Sequence, residues 1–124
     1  MSPDELQFFD GRPGALGLYE RLRAGVLALA PEASIVVRRT QITFRLRYGF
    51  AFASFTPMRR AAERGPAWLT VSFGLPCPVA SPRVIPVEIR PDRWTCHVLV
   101  NDPVQLDDEL FGWIAEAAAF GRRK

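Results

Sequence analysis

A chain of 124 residues, 48% hydrophobic and 23% charged, carries enough apolar material for one core, which excludes a disordered segment. Two cysteines, Cys77 and Cys96, are too few for a disulfide framework and lack metal-ligand spacing, so neither a metal nor a cofactor is expected. The net charge of +3 is mild, no apolar run approaches a membrane span, and the acidic opening "MSPDELQFFD" lacks the basic region of a secretory signal. The expectation is one reduced, cytoplasmic, soluble domain over residues 1–124.

"FDGRPGALGLYERLRAGVLALAPEA" predicts the first helix, with Asp10 and Pro13 near its start and Leu16, Tyr19, Leu22, Val26 and Leu27 at helical spacing. Pro31 follows its end. Gly11, Gly14 and Gly17 do not make a dinucleotide fingerprint, because no strand precedes them. From Ser34 to Val100 the period is two. "SIVV" is a short strand. "QITFRLR" alternates Ile42, Phe44 and Leu46 against Thr43, Arg45 and Arg47. Tyr48-Gly49 turns into "FAFASF", which Pro57 closes, and "MRRAAERGP" is a charged loop or hairpin tip. "AWLTVSFGL" sets Leu69, Val71 and Phe73 against Trp68, Thr70 and Ser72. "PCPVASP" is a loop, and "RVIPVEI" an edge strand, since Pro86 cannot donate to a ladder. "RPDRWTCHVLV" is the last strand. "NDPVQLDDELFGWIAEAAAF" is the second helix, capped by Asp102, with Pro103 in the first turn and Asp107, Asp108 and Glu109 at the positive dipole end.

The order helix, strands, helix, with short connections and no crossover, predicts an α+β fold. Its single antiparallel sheet has five to six strands, and the N- and C-terminal helices pack on one face.

The only histidine, His97, follows Cys96 directly. Successive side chains on a strand point to opposite faces. The pair therefore cannot make the contact of roughly 3 Å that a thiolate nucleophile and its base need. Cys96 is expected in the core beside Trp94, Val98 and Val100. His97 is expected on an uncovered polar face with Thr43, Arg45, Arg47, Thr70, Ser72 and Thr95, a set of donors suited to phosphate or carboxylate. Charge is segregated as well. Residues 38–64 hold seven arginines and one glutamate, whereas residues 102–116 hold five acids and no base. Because fifteen of the sixteen bases are arginine, a general compositional bias competes with a dedicated binding face.

Several blocks together, "RTQITFR", "FAFASF", "LTVSFGLP", "RWTCHVLV" and "DDELFGWIAEAA", resemble a family of small bacterial proteins known only as a domain of unknown function, DUF5655. The resemblance runs from about Phe9 to Phe120. It implies a compact α+β domain, found alone or joined to other modules, some of them nuclease-like, and it supplies no catalytic residue, cofactor or substrate. The family often has a second histidine where this chain has Cys96, a departure that argues against a two-histidine site.

The leading expectation is a non-catalytic binding module whose basic sheet face takes an anionic ligand, a nucleic acid or a phosphorylated small molecule. Arg39, Thr43, Arg45, Arg47, Ser72, Thr95 and His97 would bind it, with Tyr48 and Trp68 near to stack. The rival is a protein–protein interaction or homodimerisation module using the uncovered face, or Phe111 and Trp113. An enzyme centred on His97 comes third, since no acid–base pair, activated nucleophile or metal set accompanies it.

Overall fold

Residues 1–123 are described by a computed structural model. The alternating segments form one six-stranded antiparallel sheet of β1 (Ser34–Val37), β2 (Gln41–Arg45), β3 (Gly49–Ser54), β4 (Leu69–Leu75), β5 (Val84–Arg90) and β6 (Arg93–Val100). Their spatial order is β1-β2-β3-β4-β6-β5, so β5 is an edge strand, as Pro86 requires. The helices are α1 (Pro3–Phe8), α2 (Pro13–Leu29), the single turn α3 (Ala61–Arg64) and α4 (Asp108–Arg123). Among the described residues no helix is long and apolar enough to cross a membrane.

Register sorts the two faces. Ile42, Ala53, Val71 and Val98 are cross-strand partners, as are Phe44, Ala51, Phe73 and Cys96, and all eight are fully buried. Tyr19 of α2 stacks on Phe44 and Trp113 of α4 on Phe73, with centroids 6.2 and 5.9 Å apart. Both long helices therefore cover the same face. Burying these rings removes the largest apolar surfaces from water, each contributing on the order of 2 kcal/mol or more.

The predicted first helix is α2, and a short helix outside the predicted segment, α1, precedes it. Residues 2–5, Ser-Pro-Asp-Glu, make a capping box: Ser2 Oγ accepts from the Glu5 amide at 3.1 Å, and Glu5 Oε1 accepts from the Ser2 amide at 2.9 Å. Gly11, at φ 74°, then supplies the left-handed residue that separates α1 from α2. Glu5 also ties the two helices together. Its Oε2 accepts from the Tyr19 hydroxyl and from Arg23 Nε at 2.8 Å. Burial works to raise the Glu5 pKa, but the hydrogen bonds from Ser2, Tyr19 and Arg23 outweigh it and hold the carboxyl below its ordinary range. Burial, reinforced by the contact with Glu5, drives the Tyr19 phenol upward.

The last helix starts later than predicted. Asp102 caps a 3-10 turn, Pro103–Gln105, through the Val104 amide. Asp107 caps α4 by accepting from the Leu110 amide at 3.0 Å. That bond, helped by Arg83, holds the Asp107 carboxyl below its ordinary value. Arg83 joins the start of β5 to this cap, donating to Asp107, Glu109 and the Gln105 carbonyl. Phe111 is not a spare surface residue. Its ring lies against Gly25, where a Cβ would stand 2.3 Å from it, so it belongs to the packing of α2 on α4.

Candidate anion-binding cleft

Antiparallel pairing gathers alternate connections at one end of the sheet. The β1–β2 turn lies there, as does the 55–68 segment: Arg59 donates to the Pro82 carbonyl just before β5, and Asn101, just after β6, donates to the Glu63 and Arg64 carbonyls. Arg38, Arg39, Arg59, Arg60 and Arg64 therefore share this end, while Arg45 and Arg47 lie at the other end of β2, about 16 Å away. The arginine-rich stretch is split by its own strand.

Between α1, the α1–α2 turn, the β1–β2 turn and the segment after β3 lies a cleft of about 730 Å³. Three arginines line it, Arg12, Arg38 and Arg39, against one acidic residue, Asp4, with Gln7, Thr40 and Thr56 as further polar residues. Phe8 and Phe55 form its aromatic wall, stacked at 5.6 Å with 16° between their planes. Arg12 lies 3.8 Å above the centre of the Phe55 ring. Among the described residues no carboxylate stands within ion-pair distance of Arg12, Arg38 or Arg39, in contrast to Arg23, Arg60, Arg83 and Arg122. A ring orients a guanidinium and leaves its N–H edge available, whereas a carboxylate occupies that edge. A second cleft of about 430 Å³ adjoins the first, shares Arg12 and Phe55 with it, and extends to Trp68 and the start of α2.

The residues expected to bind ligand are distributed differently. Thr43, Ser72, Thr95 and His97 lie on the helix-free face, with Arg45 at its end. Along the central row the order is Thr43, Phe52, Ser72, His97, so Phe52 separates Thr43 from Ser72. Thr43 and His97 are three strands apart, about 14 Å. Ser72 and His97 are direct partners, with Oγ and Nδ1 2.7 Å apart. Burial lowers the His97 pKa, so the imidazole is neutral at pH 7 and brings no positive charge to this face. Ser72 is only 5% exposed, so the pair is a largely buried cross-strand hydrogen bond. Cys96 faces the core beneath it, its thiol pushed up by burial. Arg39 is in the cleft, and Arg47 sits in the β2–β3 turn over the Tyr48 ring at 5.3 Å. Trp68 is at the cleft end, and Tyr48 at the opposite one. Among the described residues there is no group of three or more His, Cys, Asp or Glu able to hold a metal.

Sequence reasoning passed over Asp4, Phe8, Arg12 and Phe55. A signal for α1 was present in the Ser-x-x-Glu capping pattern at residues 2–5, but nothing local brings residue 8 to residue 55.

No curated protein and no solved structure matches the chain. A family model described as a domain of unknown function, DUF5655, matches residues 5–120, which takes in α1 from Glu5 onward, α2, the whole sheet and α4 as far as Phe120. On that match, the chain belongs to the DUF5655 family.

Proposed function

We propose that this protein is a non-catalytic binding module of the cytoplasm whose partner carries phosphate, either a nucleic acid or a phosphorylated small molecule. The partner seats in the cleft of Arg12, Arg38 and Arg39 rather than on the central sheet face. The observation that carries this reading is the set of three arginines, none ion-paired among the described residues, around an aromatic wall. Arginine forks match phosphate oxygens in pairs, and such charge-assisted bonds contribute about 1.5 to 3 kcal/mol each. The neutral His97 beside apolar Phe52 offers nothing comparable.

Calorimetric titration at low salt with inorganic tripolyphosphate and with a nucleoside monophosphate tests this. At least one should bind, and the triple variant R12Q/R38Q/R39Q should lose at least about tenfold in affinity. Absence of binding to both, or binding that the triple variant leaves unchanged, overturns the proposal.

A second reading has its own support. Val36, Phe52 and Ile85 stand on the helix-free face, and Val87 and Ile89 on edge strand β5 are 38% and 64% exposed. A homodimer through that surface would show as a doubled mass in solution, independent of concentration, with the cleft arginines unaffected.

A further inference from the structure

We infer that the ligand is a single-stranded nucleic acid that runs through both clefts, crossing the contact between Arg12 and Phe55. The inference rests on the anion-cleft reading and adds the class of polymer. The two clefts share Arg12 and Phe55, so their walls are continuous, and each alone has the volume of a site for one small ligand, roughly 300 to 1,000 Å³. A mononucleotide would occupy one and leave the other empty.

Aromatic rings line this path. Phe8 stacks on Phe55, and Trp68 meets Phe55 edge-on, with centroids 5.6 and 5.8 Å apart. Arginines lie on the same rings, Arg12 on Phe55 at 3.8 Å and Arg64 on Trp68 at 4.7 Å. Rings alternating with ring-held cations suit a chain in which flat bases alternate with phosphates. Bases stack on aromatic faces and guanidinium planes, and phosphates take the N–H edges. Asp4 argues against a plain polyanion. A carboxylate on the wall repels polyphosphate, yet accepts hydrogen bonds from base amino groups or sugar hydroxyls. A duplex fits poorly, because its bases present only their edges and cannot enter a recess between helix α1 and the β1–β2 turn.

Thymidine monophosphate, oligothymidylates of two, four and eight residues, and an eight-base-pair duplex make the test, with intrinsic tryptophan fluorescence as readout. Affinity should rise at least about tenfold from monomer to tetramer, and the duplex should bind more weakly than the octamer. Quenching by the tetramer should disappear in Trp68→Phe, whose fold is checked by circular dichroism. Equal affinity for monomer and tetramer, preference for the duplex, or quenching that survives Trp68→Phe overturns this inference and leaves the anion cleft standing. Failure of every phosphate ligand to bind would remove both.

Discussion

His97 shows how one side chain is set by its neighbours. Its Nδ1 is hydrogen-bonded to Ser72, and burial disfavours its cation. The native pKa is depressed below the ordinary 6.5, so the unfolded chain binds a proton first as the pH falls. The stability associated with the neutral ring is complete above about 6.5 and is lost as pH drops from there toward the native pKa. Urea midpoints measured between about pH 7.5 and 5.5 should therefore fall for the parent chain. They should vary less for His97→Ala, which at pH 7.5 is less stable by about 1 to 2 kcal/mol because the buried Ser72 hydroxyl is left without its partner, a gap that narrows as the pH falls. A variant with the parent's slope would show that His97 is not the titrating group. Alternation alone placed Cys96 and His97 on opposite faces. It could not name Ser72 as the partner, since the two residues meet only through the pairing of β4 with β6.

At the scale of elements, period and punctuation predicted every strand to within a few residues, because one buried face fixes the alternation. The helices were less legible. Asp10 and Pro13 mark the start of α2, but α1, opened by the four-residue capping box Ser2–Glu5 and set off by Gly11 at positive φ, is too short at six residues to show a helical period. At the other end Asp102 and Asp107 are both caps, one for a 3-10 turn and one for α4. Helix packing gives a paired prediction. Gly25→Ala would drive a methyl into the Phe111 ring and should cost about 1 to 3 kcal/mol. Gly17→Ala, in the same helix with open space around it, should gain about 0.5 to 1 kcal/mol from the lower entropy of the unfolded chain. Denaturant midpoints of the two variants should move in opposite directions; equal shifts would mean that Gly25 is not a packing position.

At the scale of the molecule the charge pattern acquires a geometry. Acids near the start of α4 are largely answered by Arg83, while among the cleft cations Arg12 rests on the Phe55 ring. Binding of the tetranucleotide should follow salt with a log–log slope of about −2, as three phosphate contacts on a single strand imply. Arg45→Gln with Arg47→Gln should leave affinity within about twofold, since those residues stand at the far end of β2. A large loss there would move the binding surface back to the sheet face. The amino-acid order by itself determined the fold class, the edge position of β5, the buried thiol and the basic segment, because hydrophobic period and proline placement act over a few residues. Only the tertiary structure decided which arginines meet. Strand β2 carries Arg45 away from Arg39, and the turn at Gly11 brings Arg12 and Phe8 to Phe55, a meeting that depends on contacts between residues far apart in the chain.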